Sequence, residues 1–125
     1  MTRRALILFA HGARDPRWAA PFERLQAIVQ AQQPDVTVAL AFLELMTPSL
    51  PDLVAQFVQD GCNEMTVVPV FLGQSGHVLR DVPPLVESLR NRYPALTLKL
   101  AGAVGEDADV LSAIARYCVG ALAKP

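Results

Sequence analysis

"VVPVFLGQSGHVLRDVPP", residues Val67 to Pro84, decides how the chain is read. An apolar run of strand length ends in the glycine-framed loop Gly73-Gln74-Ser75-Gly76, which presents His77. Apolar residues then return at helical spacing, so the stretch reads as strand, loop and the approach to a helix. "ALILFAHG", Ala5 to Gly12, has the same form, and His11 takes the place of His77. The chain has 2 histidines, and both follow an apolar run and adjoin a glycine.

Outward from these two stretches, the sequence divides into four strand-then-helix units. Ala5 to Ala10 is short and continuously apolar, as suits a strand buried on both faces. In "DPRWAAPFERLQAIVQAQ", Asp15 is an N-cap with Pro16 at the first helical position, and Trp18, Phe22, Leu25 and Val29 form the apolar stripe. Pro21 moves the regular part of that helix to about Ala20. "VTVALAFLEL" is the second strand and ends at Glu44. The helix of "TPSLPDLVAQFVQDG" follows, with a Thr/Ser cap and Gly61 as its stop. "EMTVVPVFL" is the third strand, where Pro69 argues for an edge position or a bulge. The third helix is predicted from about Pro83 to Tyr93, and "LTLKLAGAV" with "DADVLSAIARYCVGAL" completes the fourth unit.

Alternation of this kind predicts an α/β fold, a four-stranded and mainly parallel sheet with helices on both faces, in a single domain over residues 1–125. The 125 residues are 52% apolar and 18% charged, which places the chain among globular proteins. A net charge of −1 without a basic stripe argues against nucleic acid as a partner. The apolar run near the start is shorter than the ~7–15 residues of a signal-peptide core. No run approaches the roughly 20 residues of a membrane span, so a cytoplasmic protein without a membrane partner is expected. Cys62 and Cys118 lack CxxC neighbours and read as two buried thiols in a reducing compartment rather than as a redox or zinc pair.

In parallel sheets, ligands bind outside the carboxyl ends of the strands, at the switch point of strand order. His11, Glu44 and His77 all fall on that rim. Singly, each has an ordinary structural explanation; together they form a set of two imidazoles and a carboxylate, suited to Co²⁺, Ni²⁺, Fe²⁺ or Zn²⁺. The same groups can serve as bases, since an imidazole titrates near neutral pH. Gly12 and Gly76 beside the histidines allow close approach of backbone to a ligand. Other readings of these motifs are weaker. Gly73 to Gly76 lacks the lysine of a P-loop, Ser75 lacks the final glycine of a nucleophile elbow, and Ala10 stands where a histidine phosphatase carries arginine.

"LILFAHGARDPR", "AFLEL" with "PSLPDLV", and "VVPVFLGQSGHVLRDVPPLV" together resemble, in order and over nearly the whole chain, the small single-domain sirohydrochlorin cobaltochelatases of the CbiX type. The resemblance implies a chelatase-like three-layer domain that inserts a divalent metal, usually cobalt, into sirohydrochlorin on the cobalamin route. Iron or nickel on the same macrocycle, and a non-catalytic tetrapyrrole or metal carrier, are the alternatives. It implies His11 and His77 as metal-site residues, joined by Glu44, with the metal as substrate and no permanently bound cofactor. Gly12, Arg14, Gly76 and Arg80 are candidates to bind the substrate, and of these the arginines, with Arg17 nearby, can meet the macrocycle's carboxylates. The family's first motif commonly reads HGSRD, and Ala13 stands here in place of the serine. Since one four-strand rim is shallow for a large flat tetrapyrrole, a homodimer is expected.

Overall fold

The computed structural model describes residues 3–73 and 76–124, without the side chains of His77 and Leu79. Four strands, β1 (Arg4–Ala10), β2 (Thr37–Phe42), β3 (Glu64–Pro69) and β4 (Thr97–Leu100), alternate with four helices, α1 (Ala20–Gln32), α2 (Leu50–Gln59), α3 (Gly76–Arg92) and α4 (Ala108–Ala121). The sheet order is β2-β1-β3-β4, and every pairing is parallel. From β1 the chain steps outward to β2, then crosses back through α2 to β3 on β1's other side. The switch point therefore lies between β1 and β3.

Strand parity separates two cores. Ile7, Phe9, Met65 and Val67 face α2 and α3, where Leu50, Val54, Val82 and Val86 complete the larger cluster. Ala10 and Phe42 face the other way, beneath Ala19, Trp18 and Phe22. The expected three layers are present, with helices on both faces. The α1 side is the thinner one, because α4 contributes no buried residue to it. Among the described residues, no helix is long and apolar enough to cross a membrane.

Local chemistry accounts for most boundaries. Asp15 accepts a hydrogen bond from the Arg17 backbone N–H, but it caps a short 3₁₀ turn at Pro16–Ala19 rather than α1 itself. The α-helix starts at Ala20, with Pro21 in its first turn, where a missing N–H costs nothing. Ser49 Oγ accepts from the Asp52 N–H and caps α2, and Gly61, at φ +88°, follows that helix. Gln26 and Gln30 of α1 reach the outer edge of β2. Gln30 Nε2 donates to Val36 O (2.7 Å), its Oε1 accepts from the Val38 N–H (3.0 Å), and Gln26 Nε2 donates to Val38 O (3.0 Å).

Three expectations are corrected. The cysteines are not both buried: Cys62 is half-buried and Cys118 exposed. α3 begins at Gly76, not near Pro83, and Pro83 and Pro84 lie inside it. Val78, Val82, Val86 and Leu89 are all buried at three-to-four spacing, and the burial of that stripe offsets the helix bonds the prolines remove. Pro69 occupies neither an edge strand nor a bulge; it ends β3, paired with Phe9 of β1. The Val70 N–H donates to Phe9 O, so the Pro69 nitrogen faces β4's side, where pairing has already stopped at Val67 and Leu100. Its missing donor lies opposite no acceptor in the ladder.

Candidate functional site

His11 is the first residue beyond β1, and it belongs to a backbone seam joining two loops. The Leu43 N–H donates to Ala10 O (2.9 Å), and the Glu44 N–H to His11 O (3.0 Å). These bonds carry the chain past the end of β2, so Glu44 lies in the loop after that strand rather than at its end. Gly12, at φ +97°, completes the seam: a Cβ on it would stand 1.8 Å from Glu44 O. Only glycine permits that approach.

The seam brings two side chains together. His11 Nε2 and Glu44 Oε1 are 2.9 Å apart, with side-chain exposures of 45% and 55%. A carboxylate only accepts, so against ionised Glu44 the proton sits on Nε2 and the Nδ1 lone pair is left open. The edge of the imidazole meets the Phe71 ring, centroid to centroid 6.4 Å, and Phe71 in turn packs on Phe9 (5.9 Å). Phe71 comes from the loop after β3, so the histidine stands at the β1/β3 switch point. Sequence reasoning passed over Phe71 because it reads as the tail of an apolar strand.

Leu45 is a second residue that sequence reasoning missed. It has φ +67°, and the Met46 N–H donates back to Glu44 O (2.8 Å), closing a three-residue turn. A leucine held there stores on the order of 1–3 kcal/mol of backbone strain. The strained residue is next to Glu44, and its side chain is exposed. A shallow cleft of about 330 Å³ opens beside this turn, lined by Ala13, Arg14, Pro16, Leu45, Met46 and Thr47.

The remaining candidates divide. Arg14 lines that cleft and is exposed. Arg17 is engaged by Asp15 through Nε (3.1 Å) and Nη2 (2.7 Å). This side-chain contact, helped by the Arg17 backbone N–H, holds the Asp15 carboxyl below the usual aspartate range and raises the arginine. Arg17 therefore has fewer N–H groups to offer a carboxylate ligand than an arginine without such a partner. Gly76 and His77 form the first two positions of α3, and Arg80 lies exposed one turn further on. The side chain of His77, and Gln74 and Ser75 with the phosphate-cradle and nucleophile readings attached to them, lie outside the described residues. Among the described residues no group of three or more His, Cys, Asp or Glu converges on one point, so the visible donor set is the His11–Glu44 pair.

On the far side of β3 a second seam mirrors the first. The Gly105 N–H donates to Phe71 O (2.9 Å), and a Cβ on Gly105 would stand 1.9 Å from Leu72 O. The 3₁₀ turn Val104–Glu106 is thereby fixed to the loop behind Phe71. A roomier cleft, about 920 Å³ and lined by Arg3, Arg4, Asp60 and Cys62 among others, is at the opposite, amino edge. Its polar groups are partly spent on one another: Arg3 Nη1 donates to Asp60 O, and Cys62 Sγ to Arg3 O. The chemistry-bearing end of the sheet is the carboxyl edge.

Comparison with known proteins agrees with this fold. The CbiX family model matches residues 5–118. A sirohydrochlorin cobaltochelatase of Methanopyrus kandleri is 32% identical over 66% of this chain and 57% of its own length. A sirohydrochlorin ferrochelatase of Bacillus subtilis is 25% identical over 90% of this chain and 43% of its own. The chain thus spans about half the length of the curated relatives it matches. A crystal structure of a Marinobacter aquaeolei VT8 protein, assigned as CbiX of cobalamin biosynthesis, superposes with a TM-score of 0.85 at 32% identity, over 98% of this chain and 99% of the other. The sirohydrochlorin chelatase SirB of Bacillus subtilis subspecies spizizenii, in complex with cobalt, shares the fold at a TM-score of 0.76 and 23% identity, over 92% of this chain and 49% of the other. On the match of the family model and the agreement along the whole fold, the chain belongs to the CbiX family.

Proposed function

We propose that this protein is a sirohydrochlorin chelatase that inserts Co²⁺ into the macrocycle. The single observation that carries the reading is the His11–Glu44 pair, 2.9 Å apart and half-exposed at the β1/β3 switch point. Support comes also from relatives named as sirohydrochlorin chelatases, cobaltochelatases among them.

Insertion needs a hydrated ion held loosely, its waters shed, and two pyrrole N–H protons removed. An imidazole and a carboxylate without a thiolate suit an ion that must be passed on. Two ligands of one tetrahedral ion, each at about 2.1 Å, stand roughly 3.4 Å apart, so the pair opens by about half an ångström to admit it. Nε2 then gives up its proton to the other ring nitrogen or to solvent. In this reading His77, from the first turn of α3, supplies the second imidazole, and Glu44 shares the metal or takes a pyrrole proton. Arg14, and Arg80 across the rim, bind the macrocycle's carboxylates, and that binding energy is available to bend the ring toward the metal. The exposed Leu45 and Leu72 flank the pair and offer apolar area to a flat ligand. The protein acts as a homodimer in the cytoplasm.

One specific observation favours a second metal: a relative matched over 90% of this chain is named a ferrochelatase. The test is anaerobic absorbance of sirohydrochlorin mixed with Co²⁺, Fe²⁺ or Ni²⁺, with and without protein. Metallation above the uncatalysed rate, lost in His11→Ala and His77→Ala and lowered about 10–100-fold in Glu44→Gln, is the expected result. A wild-type rate equal to the control for every metal overturns the reading. A macrocycle spectral shift without metallation then identifies a carrier.

A further inference from the structure

The His11 imidazole is half-exposed, and on the β2 side a single hydrogen bond, from Nε2 to Glu44, orients it. That bond does not outlast metal entry, because the Nε2 proton has to leave and the pair has to open. A restraint that needs no proton lies on the β3 side. There the Phe71 ring meets the imidazole, with centroids 6.4 Å apart and planes at 61°.

Phe71 is itself held firmly. Its ring is 5% exposed and packs at 5.9 Å on Phe9, which is fully buried among Ile7, Val67 and the residues of α2 and α3. The last rung between β1 and β3, from the Val70 N–H to Phe9 O (2.8 Å), fixes the backbone one residue before Phe71. His11 follows Phe9 by two positions, so strand alternation turns both toward the face that α2 and α3 cover. Phe9, Phe71 and His11 thus form a file of rings from the core to the rim. The place of the Phe71 ring is set from β1, the strand that also carries His11.

The two restraints respond to metal in opposite ways. An aromatic ring has a negative face and a positive edge, so rings at an angle attract over centroid distances of about 4.5–7 Å. A cation on the imidazole makes its edge more positive, and the contact with Phe71 strengthens. The Glu44 hydrogen bond, by contrast, is exchanged for the metal. An imidazole with neither restraint is free to turn about its Cβ–Cγ bond. A half-turn puts a ring carbon where each nitrogen stood, and the ligand atom is lost.

We propose that Phe71 is a positioning residue for metal transfer: its ring, carried on Phe9, keeps the His11 imidazole from turning once the Glu44 hydrogen bond has been given up. The inference rests on His11 as a metal-site residue of the chelatase reading. It assigns Phe71 no contact with the macrocycle.

The test is the Co²⁺ affinity of the full chain without macrocycle, read from the visible absorption of the bound ion, in wild type, Phe71→Leu and Phe71→Tyr. Leucine fills the core without a ring face and is expected to weaken Co²⁺ binding about tenfold, as loss of a group that orients a metal ligand does. Tyrosine keeps the ring and is expected to bind Co²⁺ as the wild type does. Metallation at limiting Co²⁺ falls in Phe71→Leu by the same factor, while KM for sirohydrochlorin holds. If far-UV circular dichroism shows that Phe71→Leu fails to fold, Phe71→Met takes its place. Unchanged Co²⁺ affinity in the ringless variant overturns the proposal, and with a raised KM for sirohydrochlorin it makes Phe71 a macrocycle contact. A loss that Phe71→Tyr shares overturns it as well, and leaves Phe71 a core residue alone. A wild type that binds no Co²⁺ overturns this inference together with the metal site. A wild type that binds Co²⁺ yet metallates nothing ends the chelatase reading, and the titration then decides the role of Phe71 by itself.

Discussion

The carboxyl edge has two seams, one between the loops after β1 and β2 and one between the loops after β3 and β4. Both use a glycine pressed against a neighbouring carbonyl, with a Cβ position 1.8 Å from Glu44 O at Gly12 and 1.9 Å from Leu72 O at Gly105. Both add a backbone hydrogen bond, Glu44 N–H to His11 O and Gly105 N–H to Phe71 O. Only the first sets an imidazole against a carboxylate. The second positions a turn and, through it, the direction of α4. The same packing device therefore does chemical work in one place and architectural work in the other, and substitutions at the two glycines separate these roles.

Gly12→Ala carries the largest expected effect. The seam must open and a non-glycine residue must hold φ +97°, at a cost of about 4 kcal/mol, near the upper end for single substitutions. For a chain of this size that lowers Tm by roughly 10 °C or more. Metallation per folded molecule is expected to fall as well, because His11 and Glu44 part. Gly105→Ala meets the steric clash without the dihedral cost, about 3 kcal/mol. Its rate per folded molecule is expected to stay within about threefold of wild type, less than half a decade or 0.7 kcal/mol of barrier. Equal losses of rate at the two glycines would erase the distinction between the seams. Leu45→Gly is the smallest change: relief of the positive φ outweighs the added chain entropy of glycine, with an expected gain of about 0.5 kcal/mol by denaturant midpoint. A loss there means the leucine side chain packs on something that stabilises the loop.

The sequence made the layers legible because buried parallel strands are written as unbroken apolar runs, and Ala5 to Ala10 and Val38 to Phe42 are such runs. It marked the first caps for the same local reasons: Asp15, Ser49 and the prolines after them act within one turn of the chain. Where it misled, a local rule met a long-range term. Pro83 and Pro84 read as a helix start, yet Val78 and Val82 carry the stripe through them. His11 and Glu44 were each legible as rim residues, but their pairing depends on a seam between residues far apart in sequence. Nothing local encodes the contact of Gly105 with Leu72. The last helix reads in the sequence as the close of the fourth unit, with nothing to mark that its own domain leaves it exposed.

One consequence concerns how the sheet ends. An outermost strand is a template on which another strand can add, the usual beginning of unwanted assembly. At β2 the amide side chains of Gln26 and Gln30 already occupy Val36 O and both backbone groups of Val38, imitating a neighbouring strand. At the other margin β4 is only four residues long, with Lys99 reaching Glu64. Both margins are thus closed to strand addition. The sheet therefore does not grow into a ribbon.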